Sequence, residues 1–137
     1  MAPVTNDADG LIAIRSNHSV AETIGRLEAA LKSKGIQIFA RIDHGAGAGA
    51  VGMTLRPTEL LIFGHPKSGT PLMQRHQTMG IDLPLKALAW ADENGQVRLA
   101  YNDMGWLARR HGLGPEAAPA LELLSKLLAS LANAAAE

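Results

Sequence analysis

The chain has 137 residues, with 13 basic and 13 acidic side chains and no net charge, which leaves room for one domain around one core. The balance removes any general pull toward nucleic acid or anionic membrane. The lack of cysteine excludes a disulfide scaffold, a thiolate zinc site and a cysteine nucleophile.

Hydrophobic residues make up 47%, the level of a packed globular protein and too high for a disordered one. The opening MAPVTNDADG has no basic n-region and no apolar stretch, so residues 1–10 read as a disordered tail. No segment approaches the roughly 18 consecutive apolar residues of a membrane span. A cytoplasmic setting with no membrane partner is the expectation.

LIAIRS (Leu11 to Ser16) is a short β-rich run. The next segment is the clearest helix. Ser19 and Glu22 fit a capping box, Val20, Ile24, Leu27 and Leu31 form one apolar stripe, and Gly35 sits where a left-handed terminator is wanted. IQIFARIDH then alternates, with Ile36, Ile38, Ala40 and Ile42 on one side and Gln37, Arg41 and Asp43 on the other. Leu60 to Phe63 lacks alternation, which suits a strand covered on both faces.

Leu83 to Asp103 carries a hairpin signal, with Asn94-Gly95 as the pair favoured in a two-residue turn. That register sets Trp90 opposite Leu99 and Leu88 opposite Tyr101. Asp103 caps a short helix closed by Gly112. Pro115 opens the last helix, where Leu121, Leu124, Leu128 and Leu131 align and the tail ANAAAE frays. Hairpin-linked strands and few βαβ units predict an α+β fold: a mainly antiparallel sheet with helices packed on one side, in a single compact domain.

The stretch TELLIFGHPKSGTPLMQ poses the functional question. Gly64 and Gly69 have the spacing of a Walker loop, but Thr70 follows the second glycine directly and Lys67 lies inside the loop. No nucleotide triphosphatase follows. A more general reading survives: Thr70 as N-cap, Pro71 as first helical residue, and free amides aimed back toward Lys67, which would attract a carboxylate or phosphate. The plainer alternative is a capped turn with a solvated lysine.

HGAGAGAVG satisfies a dinucleotide pattern at Gly47, Gly49 and Gly52, yet Pro57 limits any helix after it and no acidic residue follows at the right distance. A flexible or weakly helical connector is expected. His18, His44, His65, His76 and His111 form no zinc signature. Asp43-His44 is the best catalytic-looking pair, although neighbouring strand residues point to opposite faces. Arg109, Arg110 and His111 complement a helix dipole better than they make a nucleic-acid patch.

Together ARIDH (40–44), LRPTELLIFGHPKSGTPLMQ (55–74), GIDLPLKALAWAD (80–92) and YNDMGWLARRHGL (101–113) resemble the bacterial and archaeal domain of unknown function 302 family. The resemblance implies a compact α+β domain over residues 11–113 and a homodimer. It supplies no catalytic residues, because the family carries no established activity. The chain departs from the family pattern at His65, where asparagine is usual, and at Met104, where proline is. Residues 114–137 form a helix that packs on the same domain or at the dimer interface.

The reading is therefore a non-catalytic, homodimeric domain that binds or senses a small anionic molecule. Its contacts are His65, Lys67, Ser68, Gly69 and Thr70, with no cofactor, metal or nucleic acid. Two alternatives stay open. One is a protein-interaction module built on the leucine-rich last helix, and the other is an enzyme using Asp43 and His44 as an acid–base pair.

Overall fold

A computed structural model of the chain describes residues 4–5 and 9–137. The strands are β1 (Val4–Thr5), β2 (Leu11–Ser16), β3 (Gln37–Asp43), β4 (Thr58–Gly64), β5 (Leu85–Ala91) and β6 (Val97–Asn102). They form one sheet in the order β1-β2-β6-β5-β4-β3, antiparallel throughout. The tail expected over residues 1–10 lies largely outside the described residues; Val4–Thr5 pair with β2. The helices are α1 (Val20–Ser33), α2 (His44–Ala50), α3 (Pro66–Arg75), α4 (Met104–His111) and α5 (Ala118–Ala136), with 3₁₀ turns at Gln77–Ile81 and Pro115–Ala117.

Helices α1 and α5 pack side by side on one face of the sheet, α1 over β3 to β6 and α5 over β2 and β6. The core lies between the layers. Ile24, Leu27 and Leu31 of α1 and Leu121, Leu124, Leu128 and Leu131 of α5 meet Ile14, Leu61, Phe63 and Leu99 of the sheet. Strand β4 alternates rather than reading as covered on both faces: Glu59, Leu61 and Phe63 are buried toward the helices, and Leu60 and Ile62 are half-buried on the other side. Along β5, Leu88 and Trp90 share that outer side.

Ser19 caps α1 by accepting from the Glu22 amide, and Gly35 adopts φ +73° just beyond its end. Asp103 and the left-handed Gly112 bound α4 as the sequence predicts, with Arg109, Arg110 and His111 in its last turn. The C-terminal tail does not fray. Helix α5 continues to Ala136, and Ala132, Ala135 and Ala136 are buried. Its last carbonyls, which no amide of the helix can reach, accept from elsewhere: Arg26 donates from Nε to Ala135 (3.0 Å) and from Nη2 to Ala134 (2.9 Å), and the Asn17 amide donates to Ala136 (2.9 Å).

Two registers differ from expectation. In the hairpin, Ala89 faces Leu99, Ala87 faces Tyr101 and Trp90 faces Arg98. The turn has three residues rather than two, because Asp92 pairs with Gln96 and Gly95 takes φ +80° as the bulge residue. Asp92 selects this form by accepting from the Asn94 and Gln96 amides. Burial works to raise its carboxyl, but those two donors and the Arg98 guanidinium hold it below its ordinary value.

In β3 a bulge at Phe39 inserts one residue between the Ile38–Phe63 and Ala40–Ile62 pairs. Everything beyond it changes side. Ala40 and Ile42 therefore point away from the helices, and Arg41 and Asp43 turn toward α1.

Candidate functional site

The step from β4 into α3 differs from the predicted one. Helix α3 begins at Pro66, and His65 is its N-cap, with Nδ1 accepting the Lys67 amide at 3.0 Å. Thr70 is therefore not the cap, and Pro71 lies inside the helix. The amides expected to be free are engaged: those of Ser68 and Gly69 both donate to the His65 carbonyl, at 3.0 and 3.1 Å. A phosphate nest of unused amides does not form here.

A pocket does form beside this turn, and its chemistry is apolar. Phe39 reaches it from the β3 bulge and is 48% exposed. Met73 comes from α3, Leu124 from α5, and Leu83, Pro84 and Leu85 from the segment entering β5, where the Leu83–Pro84 peptide is cis. The volume is about 240 Å³. Gly64 and Gly69 lie in the wall. A Cβ on Gly69 would stand 3.4 Å from Leu83 Cδ1, and one on Gly64 would stand 3.7 Å from the Phe39 ring. Longer side chains at either position would project into the space.

One rim is polar. His65, Ser68 and Thr70 line it. With Nδ1 accepting from Lys67, a neutral His65 ring carries its proton on Nε2. That N–H and the two hydroxyls have no hydrogen-bond partner among the described residues. Lys67 does not line the pocket; its side chain is exposed at the start of α3. Four of the five predicted contacts thus lie along the pocket, His65, Ser68 and Thr70 through side chains and Gly69 as part of the wall.

Asp43 and His44 do not join them. Asp43 caps α2, Oδ1 accepting from the Ala46 amide at 2.8 Å, and His44 is the exposed first residue of that helix. Asp43 pairs with Glu59 across β3 and β4, whereas His65 follows the far end of β4, roughly 20 Å along the strand. Asp43 and His44 thus stand apart from the pocket beside α3.

Asp43 and Glu59 do line an open cleft of about 440 Å³ beside the start of α1. Their carboxylates are engaged, Asp43 with α2 and Glu59 with Arg41 at 2.8 Å, and Arg41 Nη2 also donates to the Ala21 carbonyl. The larger space therefore offers less unengaged chemistry than the smaller one.

One polar cluster escapes the sequence altogether. His111 is nearly buried; its Nε2 donates to Asp82 and its Nδ1 pairs with the Thr78 hydroxyl at 2.9 Å. Arg110 Nη1 reaches both Asp82 oxygens, at 3.0 and 3.1 Å. Asp82 immediately precedes the pocket wall at Leu83. Among the described residues, no group of three or more acidic, histidine or cysteine side chains could hold a metal ion. No helix there is long and apolar enough to cross a membrane.

An antiparallel sheet with helices on one face and a small apolar pocket at the end of its fourth strand defines a compact α+β domain. The chain belongs to the family described as Domain of unknown function DUF302, whose model matches residues 12–131. A crystal structure of an uncharacterized conserved DUF302 protein from Bacillus stearothermophilus superimposes with a TM-score of 0.81 at 20% identity. The match covers 93% of this chain and 99% of that one, and it shows the fold.

Two curated relatives are 57% identical over 105 residues, 77% of this chain. One is named Fluoride-specific ion channel FluC 1, from Brucella suis biovar 1 (strain 1330), and the other Fluoride-specific ion channel FluC 2, from Brucella melitensis biotype 1. The chain spans only 41% and 39% of their respective lengths.

Proposed function

We propose that the chain is a non-catalytic binding domain that takes a small molecule with an anionic end in the pocket beside α3. One observation carries this reading: a recess with apolar walls whose rim holds the unpaired Nε2–H of His65 beside the hydroxyls of Ser68 and Thr70. Ligand sites of this kind combine apolar contact area with a few orienting polar groups. The N-terminal end of the ten-residue helix α3 adds a favourable field for negative charge at the rim.

The relatives support a modular role, since in them the matched stretch makes up about two-fifths of a longer polypeptide named as a channel. A ligand-sensing unit suits such sharing, in the cytoplasm or at the cytoplasmic side of a membrane. The test is a titration of ¹⁵N-labelled protein with acetate, phosphate and fluoride, together with native mass spectrometry for co-purified metabolites. Amide shifts confined to His65–Thr70 and Leu83–Leu85 are expected. Silence at those amides toward every probe and toward longer-chain carboxylates, with no metabolite retained, overturns the reading.

A homodimer is the second reading, and a specific observation favours it. Residues 44–57 contain no buried side chain, and Val51, Met53 and Leu55 stand 72%, 68% and 49% exposed at alternating positions. Helix α2 has seven residues, three of them glycine, and too little propensity to hold itself in water. Ile42 and the outer sheet residues Leu60, Leu88 and Trp90 continue the apolar surface. A second copy laid on this side would cover both.

A further inference from the structure

We infer that the pocket selects an unhydroxylated monocarboxylic acid with a hydrocarbon body of about five to seven carbons, in preference to phosphate, a halide or a polyol. The inference rests on the pocket reading above and narrows it by three independent features of the same walls.

The first is the donor set. Phosphate sites built on helix starts use several backbone amides at once, and here the amides of Lys67, Ser68 and Gly69 are already spent on His65. What remains is one imidazole N–H of fixed direction and two hydroxyls that rotate to suit. That set matches a flat acceptor with two oxygens and a single charge.

The second is the lining. Phe39, Met73, Leu83, Pro84, Leu85 and Leu124 supply the rest of the surface, and no charged side chain lines the pocket. A phosphate or sulfate drawn inside would lose water with nothing to replace it. A carboxylate held at the rim keeps its hydration on the outer side while its hydrocarbon tail occupies the apolar part. The hydroxyls of a sugar would have no partners along those walls.

The third is size. About 240 Å³ lies below the roughly 300–1,000 Å³ of drug-sized sites and equals about eight water volumes at ~30 Å³ each. Hexanoate, with eight non-hydrogen atoms, fills that space.

The experiment is a calorimetric and ¹⁵N–¹H titration at pH 8 with acetate, butanoate, hexanoate, decanoate, hexan-1-ol, phosphate and fluoride. Affinity should rise about fourfold per methylene from acetate to hexanoate and stop rising well before decanoate. The variant His65→Ser keeps a side-chain acceptor for the Lys67 amide but loses the Nε2 donor. It should weaken hexanoate at least tenfold and leave hexan-1-ol unchanged.

Equal binding of hexan-1-ol and hexanoate overturns the carboxylate requirement and the anionic end of the proposed ligand, while occupation of the pocket stands. Shifts at His65, Ser68 and Gly69 with phosphate or fluoride, and none with hexanoate, overturn this inference and leave anion binding standing. Absence of any shift from all seven probes overturns both. A folded His65→Ser protein that binds hexanoate like the parent removes His65 from the proposal.

Discussion

Asp82 accepts a hydrogen bond from His111 Nε2, joining residues 29 apart in sequence and fastening the strand entry that walls the pocket to the last turn of α4. Both imidazole nitrogens are committed, the other to Thr78. The Asp82→Ala change leaves a nearly buried ring nitrogen and the Arg110 guanidinium without their shared acceptor. A loss of about 2 kcal/mol is expected, seen as a fall in Tm of roughly 5–10 °C by calorimetry. Because Leu83 and Pro84 follow directly, pocket binding should weaken as well. An unchanged Tm refutes the fastening role.

Arg41 and Glu59 make a second cross-link, beneath α1. Glu59 is the more enclosed partner, at 12% side-chain exposure against 34% for Arg41. Removing the arginine strands a carboxylate, so Arg41→Ala should cost about 2 kcal/mol in urea unfolding, discounted for the exposure of the guanidinium. Replacing both by Met and Leu should recover most of that loss. A double variant as unstable as the sum of the singles would show that the two side chains act independently.

The chain has one tyrosine, so phenolate absorbance near 295 nm reports Tyr101 alone. Burial, and secondarily the charge of Asp103, raise its hydroxyl above the ordinary value of 10.0. The folded state thus retains a proton that the unfolded chain releases first. The resulting stability is fully present below pH 10 and falls as pH climbs through the folded value. Tyr101→Phe should flatten that alkaline decline. A spectroscopic midpoint at or below 10 contradicts the assignment.

Met53 touches little within a single chain. Met53→Asp is therefore expected to change unfolding free energy by no more than about 0.5 kcal/mol in a monomer. If a second copy covers Val51, Met53 and Leu55, the same change should halve the mass measured by light scattering. An unaltered dimer mass would place the interface elsewhere.

Much of this architecture is legible in the residues. Ser19 and Glu22 start α1, Gly35 ends it, Asp103 and Gly112 bound α4, and the leucine stripe of α5 lies where its period puts it. These signals are local and chemically specific. The failures share a different origin. A bulge at Phe39 leaves no mark in composition, yet it reverses which face Arg41 and Ile42 occupy. The hairpin contains the favoured Asn-Gly pair, but the Asp92 carboxylate draws in two amides and lengthens the turn by one residue.

The start of α3 was obscured in a similar way. Gly69, Thr70 and Pro71 carry stronger boundary signals than His65 and Pro66, and yet the histidine ring does the capping. The sequence points to this turn as a cluster of amides, whereas the structure presents the side chains of His65, Ser68 and Thr70 beside the pocket. The apolar walls carry no such local signal, because Phe39, Leu83 and Leu124 come together only through the tertiary fold. The tie between Asp82 and His111 is equally long-range, and neither residue type nor spacing announces it.

The arginine of α1 that grips the carbonyls of Ala134 and Ala135 bears on biosynthesis. Within the domain, helix α5 is made after every other described element, yet it roofs β2, made early in the domain, and β2 must itself wait for β6 before it has a neighbour on that side. Nearly the whole domain must emerge before the hydrophobic layer closes, so its early segments wait with their apolar faces uncovered. A translational arrest that holds the final two turns of α5 inside the exit tunnel should leave a nascent chain open to protease, and release should protect it in a single step.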